Sequence, residues 1–178
     1  MTSTGKTLIG IDPGLHGAIS IIKPDLSLDL MAMPLVLKKE LDVKRILDII
    51  YIQVNPYVII EDVHSVHNAS AKANFEFGFG CGSLFAILKI IEVPFSRIAP
   101  KTWQKEMWQG VKPIMVLDKG KDKEGKPKYK VDTKATSLLA VKRIFPHANL
   151  LATNKCSVPH NGIVDALLMA EFGRRKNF

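Results

Sequence analysis

Leu8-Ile9-Gly10-Ile11-Asp12-Pro13-Gly14 is the stretch that decides the fold. An apolar run ends at once in a carboxylate and a Pro-Gly turn. It reads as a buried strand that delivers an acid to the edge of a sheet. Tyr57-Val58-Ile59-Ile60 ends the same way, in Glu61-Asp62. A third acid, Asp165, lies in His160-Asn161-Gly162-Ile163-Val164-Asp165-Ala166. Carboxylates held together repel, so they need protons or a divalent cation. The first reading is therefore a metal-dependent hydrolase.

Working outward from that strand, residues 17–22 read as a second strand and 26–33 as a third. Short turns join them, which predicts an antiparallel meander. Asp42 is placed to cap a helix over 43–50, with apolar residues at 43, 46, 47 and 50. Asn55-Pro56 ends it, and 57–61 follows as a strand. A strand reached through a helix runs parallel to an earlier one. A long helix is predicted over 71–92. Its stretch Phe77-Gly78-Phe79-Gly80-Cys81-Gly82 carries three glycines. Each costs a helix about 1 kcal/mol, so close backbone packing or ligand approach is expected there. Residues 95–100 read as an edge strand and 101–108 as a short helix. Asp132 is placed to cap a further helix that stops at Phe145-Pro146, and a last helix runs over 161–174. The expected fold is α/β: a mixed five-stranded sheet, its first three strands antiparallel, flanked by helices on both faces, in one domain over 1–178.

One segment resists this reading. Between 119 and 130 stand six lysines, two acids, two glycines and a proline. Such a stretch buries no core and predicts a mobile loop over about 118–131. It is either a solvated linker or a flexible phosphate-binding arm bearing Lys119, Lys121 and Lys123.

Bulk composition narrows the function classes. A hydrophobic share of 47% and a charged share of 24% describe a globular chain. The net charge of +8 favours polyanionic partners, with affinity that falls as salt rises. Cys81 and Cys156 are far apart. With His64, His67, His147 and His160 they form no CxxC or HExxH pattern, so free thiols are expected and structural zinc is not. Met1 to Lys6 is short and polar, and no run of about 20 apolar residues exists. No membrane association and a cytoplasmic location are the expectations.

The acids have competing explanations. Asp12 before Pro-Gly is also an ordinary turn residue. Glu61 at the end of an apolar strand needs partners. Asp165 has apolar neighbours on both sides, and Asn161 lies one turn back on the same helix face. An oxygen-only site of this kind suits Mg²⁺ or Mn²⁺. Two such ions serve phosphodiester hydrolysis by activating water and stabilising the leaving oxygen. His160 is either a group that positions water or phosphate, or a helix-capping histidine.

Taken in order, these segments resemble the RuvC-type Holliday junction resolvases of the ribonuclease H-like superfamily, and more closely their phage-encoded branch. The carrying residues are Ile9-Gly10-Ile11-Asp12-Pro13-Gly14, Val58-Ile59-Ile60-Glu61, Pro100-Lys101-Thr102-Trp103, Asp132-Thr133-Lys134, Phe145-Pro146 and His160-Asn161-Gly162 through Asp165-Ala166-Leu167. The resemblance implies a homodimer that cuts two strands of a four-way DNA junction symmetrically, with two Mg²⁺ or Mn²⁺ ions per subunit. It implies Asp12, Glu61, Asp165 and the Asn161 position as metal ligands, with His160 beside them in the catalytic group. Lys101 and Lys134, with the 119–130 lysines, become candidate phosphate contacts. The stretch 75–82 matches a helix that faces the junction centre. Phe75, Phe77 and Phe79 are then either base-stacking residues or anchors in the core or dimer interface. One departure stands out. Relatives commonly carry His-Asp-Gly where this chain has His160-Asn161-Gly162, so the set of acids is one short. Natural variation and an inactivating substitution both account for Asn161.

Rival readings fare worse. A sugar-kinase-type ATPase also places Asp-x-Gly after a strand, but it needs two such domains. Gly5-Lys6-Thr7 lacks the leading glycine of a phosphate loop and precedes its strand. A silent DNA-binding module would not need Asp12, Glu61 and Asp165. A nuclease of the same fold acting on flaps, forks or RNA–DNA hybrids stays open at this stage, since fold does not set function.

Overall fold

The computed structural model describes residues 5–63, 70–121 and 125–178. The chain begins with a meander: β1 (Thr7–Asp12), β2 (Ala18–Ile22) and β3 (Leu28–Ala32). A small ribbon follows, β4 (Leu35–Val36) with β5 (Glu40–Leu41), and then α1 (Val43–Tyr51). β6 (Pro56–Glu61), α2 (Ala71–Ile90), β7 (Phe95–Ile98) and α3 (Pro100–Met107) come next. The chain ends with β8 (Met115–Lys121), β9 (Pro127–Val131), α4 (Thr133–Ile144) and α5 (Asn161–Arg175).

The main sheet has five strands in the order β3-β2-β1-β6-β7. β1 and β2 are antiparallel, with Ile9 opposite Ile21, and β2 and β3 likewise. β1 and β6 are parallel, with Ile11 beside Ile60. β7 lies parallel to β6, with Glu61 beside Ile98. The expected mixed sheet is therefore present, with its first three strands antiparallel.

Strand periodicity sorts the residues into two cores. Ile9, Ile11, Val58 and Ile60 face one side and pack on Ile46 and Ile50 of α1 and on Leu84, Ile87 and Leu88 of α2. Leu8 and Ile59 face the other side. They pack with Ala166, Leu167 and Ala170 of α5, Trp103 of α3 and Val141 of α4. Each large aliphatic side chain so buried contributes about 1.5–3 kcal/mol. Helices thus cover both faces of the sheet.

Gly10 sets the distance between β1 and α5. It falls on the α5 side, between Leu8 and Asp12. A Cβ placed there would lie 1.8 Å from the carbonyl oxygen of Ala166. Only glycine lets the helix lie this close to the strand. The contact also carries Asp165, one residue before Ala166, toward the strand end at Asp12.

Helix starts follow the expected signals. Asp42 accepts from the Arg45 N–H at 3.0 Å, and Asp132 from the Ala135 N–H at 3.0 Å. The edge strand stops at Ile98 because Pro100 opens α3 as its first residue.

Residues 118–121 and 127–131 correct the loop expected over about 118–131. They lie largely within an antiparallel ribbon, β8 with β9, in which Met115 pairs with Val131 and Leu117 with Tyr129. The lysine count obscured residues with strand propensity in both strands: Met115, Val116 and Leu117 in β8, Tyr129 and Val131 in β9. Cross-strand hydrogen bonds satisfy the backbone without a core. The β4–β5 ribbon was not anticipated either, being only two residues long on each side.

Candidate functional site

β1 and β6 run parallel and end together, so Asp12 and Glu61 occupy neighbouring places at one sheet edge. Both lie on the α5 side, since they continue the alternation Leu8, Gly10, Asp12 and Tyr57, Ile59, Glu61. Asp62 belongs to the opposite side. It pairs with Arg97, whose guanidinium stands 4.9 Å from the Phe85 ring centroid of α2. This alternation selects Glu61, and not its neighbour, for the site.

α5 supplies the third acid. Its N-terminus lies against the β1–β2 turn. A Cβ at Gly162 would lie 2.8 Å from the Gly17 carbonyl carbon and 3.0 Å from Oδ2 of Asp12. Asp165 sits one turn further along.

The charges of these acids interact. Burial pushes Asp12 well above the ordinary carboxylate range, and repulsion from Asp165 and Glu61 pushes it further. Asp165 is raised to about 7, chiefly by burial, with Glu61 adding to the effect. Glu61 is raised by burial, and its bond to Trp103 works against that.

Each outer acid has a fixing partner. The Trp103 Nε1–H donates to Oε1 of Glu61 at 3.0 Å, from an indole that is fully buried. Asp165 is hydrogen-bonded to Ser137 of α4. Ser137 in turn accepts from Trp108 Nε1–H at 3.3 Å. Lys134, one turn before Ser137 on α4, draws down both Asp12 and Asp165 through its charge.

The donor set is oxygen-only, hard and partly buried, which fits Mg²⁺ or Mn²⁺ better than softer metals. It is not a closed cage. Among the described residues, no three His, Cys, Asp or Glu side chains converge tightly enough to enclose an ion as they stand. What fits a cation is the burial of these acids together with their mutual repulsion, which a divalent ion would offset.

The remaining expected site residues divide. His160 is the N-cap of α5, and its Nδ1 accepts from the Ile163 N–H at 3.3 Å. The helix-capping reading of this histidine is therefore realised. That bond assigns the proton of the neutral ring to Nε2. Burial, with the nearby His16, lowers its affinity for a second proton. Asn161 is exposed at the first position of α5. Lys134 stands near the acids, while Lys101 is exposed in the first turn of α3. Phe75 and Phe79 are 74% and 67% exposed on α2, so neither is a core residue of this chain. Phe77 is half-buried, and its ring would lie 3.5 Å from a Cβ at Gly14, in the turn after Asp12. Lys123 lies outside the described residues, as do the side chains of Lys119 and Lys121. Both cysteines are free, Cys81 buried and Cys156 exposed.

No family model matches this chain. No curated protein matches it either. Solved structures do. Thermus thermophilus RuvC in complex with its Holliday junction substrate superposes with a TM-score of 0.57 at 15% identity, covering 96% of this chain and 94% of that one. A second Thermus thermophilus RuvC structure gives 0.55 at 18% identity, covering 96% of each chain. The chain has the ribonuclease H-like fold of RuvC. At such identity the likeness is one of fold.

Within the RuvC fold, sequence reasoning missed Ser137 and the role of Trp103. Ser137 had a faint signal: a small polar residue one turn after Lys134 and one turn before Ala140 and Val141. Trp103 belongs to the Pro100-Lys101-Thr102-Trp103 segment, and an indole N–H that must find a partner when buried was the clue to its acceptor.

Proposed function

We propose that this protein is a structure-specific endonuclease that resolves four-way DNA junctions by paired, metal-dependent phosphodiester hydrolysis. One observation carries the reading: two partly buried carboxylates at the shared edge of β1 and β6, Asp12 and Glu61, interact by charge with a third, Asp165 of α5, in the RuvC fold. In this reading Asp12, Glu61 and Asp165 would hold Mg²⁺ or Mn²⁺, two ions per subunit, and Asn161 would offer an amide oxygen. Such ions, when bound, help water attack the phosphate and neutralise charge on the leaving oxygen.

The chain's own groups do the rest. Trp103 fixes the direction of Glu61, and Ser137 that of Asp165. Lys134 offers a cation to the scissile phosphate beside the acids. His160 holds the start of α5 and, protonated on Nε2, presents a donor to water or phosphate. Lys101 and the 119–130 lysines, including Lys119, Lys121 and Lys123, meet flanking phosphates. Phe75, Phe77 and Phe79 face the branch point. A homodimer supplies two such sites for symmetric nicks, and the action is on DNA in the cytoplasm, the host's if the protein is phage-encoded. The whole chain serves as one nuclease domain.

Labelled four-way junction, flap and RNA–DNA hybrid, incubated with and without Mg²⁺ or Mn²⁺, test the proposal. Paired symmetric nicks confined to the junction are expected. Asp12→Asn is expected to abolish cleavage while junction binding persists, because phosphate contacts supply most of the affinity. Cleavage of flap or hybrid alone would move the protein to another substrate. Equal loss of binding and cleavage would make Asp12 structural.

A further inference from the structure

The β8–β9 ribbon has two unlike faces. Alternation along the paired strands places Met115, Leu117 and Tyr129 on one of them, with Leu117 opposite Tyr129. All three are exposed, Leu117 at 63% and Tyr129 at 60%. Neither hydrophobic core takes up any of them. The other face carries Lys128 and Lys130, and Lys130 lies 3.0 Å from Asp118. A two-stranded ribbon is marginal alone, and an exposed apolar face beside a row of lysines calls for a reason.

The root of the ribbon lies beside the acids. The Asp132 N–H donates to the Ile114 carbonyl at 2.8 Å, and the Ile114 N–H to Thr136 Oγ1 at 3.0 Å. Asp132 also caps α4. The first turns of that helix carry Lys134 and Ser137, the residues that act on Asp12 and Asp165. The ribbon therefore rises from the rim of the candidate site.

Charge chooses the occupant. A protein partner covering the apolar face would have to accommodate the adjoining lysines of a chain with net charge +8. Nucleic acid answers both faces: phosphates meet lysines, and base rings meet aromatic and aliphatic side chains. Bases at a strand exchange lose a stacking neighbour and are the ones open to such contact. We propose that the β8–β9 ribbon is a branch-recognition element, in which Tyr129 stacks on a DNA base at the branch, Met115 and Leu117 pack beside it, and Lys128 contacts a phosphate.

This rests on the nuclease reading of the site and adds to it the element that distinguishes a branch from duplex. The test measures binding by the full chain to a four-way junction and to an equal-length duplex, with chelator present so that no cleavage intervenes. Tyr129→Ala is expected to weaken junction binding roughly tenfold and duplex binding little, as loss of one stacked base predicts. Tyr129→Phe should bind as the parent does. Lys128→Ala should weaken both and flatten the salt dependence by about one phosphate contact. A 2-aminopurine base placed at the branch should change fluorescence with the parent and not with Tyr129→Ala. Unchanged junction affinity in Tyr129→Ala overturns the proposal. So does a shift of that variant from dimer to monomer in sedimentation without selective loss of junction binding, which would assign the face to a second copy of the chain. Cleavage by the parent protein is scored separately. A parent that cuts while ribbon variants bind normally defeats the ribbon alone. One that binds the junction through Tyr129 without cutting defeats the nuclease reading alone. One that binds no DNA defeats both.

Discussion

Asn161 stands exposed at the first position of α5, one turn before Asp165. An aspartate there would add a negative charge to a group of acids that already repel. In water that is unfavourable; around the two divalent ions of the proposed nuclease it would supply the charge that an amide does not. Asn161→Asp is therefore expected to raise Mg²⁺-dependent junction cleavage by orders of magnitude. Its metal-free stability should fall or stay level, because added repulsion opposes the favourable helix-dipole contribution of about 0.3–1 kcal/mol. No gain in rate with Mg²⁺ or Mn²⁺ would show that the amide does not limit the site. His160 separates in the same way. Its Nδ1 is committed to the Ile163 N–H, so His160→Ala should cost about 1 kcal/mol of stability, whereas His160→Asn keeps a cap. Single-turnover cleavage by the stable Asn variant then decides the chemistry: a large fall means the ring positions water or phosphate, and an unchanged rate leaves it a cap alone.

Among the elements, α5 has the tightest demands. It touches β1 where Gly10 has no side chain, and it buries Ile163, Val164, Ala166, Leu167, Leu168, Met169 and Ala170. Gly10→Ala must displace a backbone carbonyl and not a flexible side chain, so a loss of about 3 kcal/mol is expected. Chemical denaturation would read it, and an unchanged midpoint would mean that β1 and α5 slide apart freely. This packing was half legible in the sequence. Strand runs ending in Asp12 and Glu61, caps at Asp42 and Asp132, and the apolar face of 161–174 came through, because each rests on local periodicity or capping. The pairing of Glu61 with Trp103 did not, since those residues are 42 positions apart. Ser137 gave only a faint signal for the same reason: its partner Asp165 lies on another helix. The β8–β9 ribbon was masked by composition, as six lysines outweighed the short alternation of Met115, Leu117, Tyr129 and Val131. What joins distant segments around a site is written in three dimensions, while strand ends are written in one.

For the whole molecule, the ionisable groups set opposing dependences on pH. Burial pushes Glu171 up, but its hydrogen bonds to Arg174 and Arg175, at 2.6 and 2.8 Å, hold it below its ordinary value. A depressed acid stabilises the fold above its unfolded pKa, and that contribution is lost as pH falls through the folded one. Asp12 and Asp165 act the other way. Their folded values are raised, Asp165 to about 7. The native state then holds protons that the unfolded chain releases, so stability falls as pH rises from the ordinary carboxylate range toward neutrality. Each such proton weighs about 1.4 kcal/mol per pH unit within that window. Without metal, the melting temperature should therefore be higher near pH 5 than near pH 8. Mg²⁺ held as proposed would bind the deprotonated acids of the folded state, and so should raise the melting temperature far more at pH 8 than at pH 5. Asp165→Asn removes one of the raised acids. It should lift metal-free stability at pH 8 by about 1–3 kcal/mol and blunt the response to Mg²⁺. Thermal melts at both pH values, with chelator and with Mg²⁺, measure all of this on one preparation. A Mg²⁺ response of the same size at both pH values would separate the acids from the ion. A parent and Asp165→Asn that melt alike at pH 8 would mean that groups of the chain itself, Ser137 and Lys134 among them, already offset the burial and repulsion of Asp165.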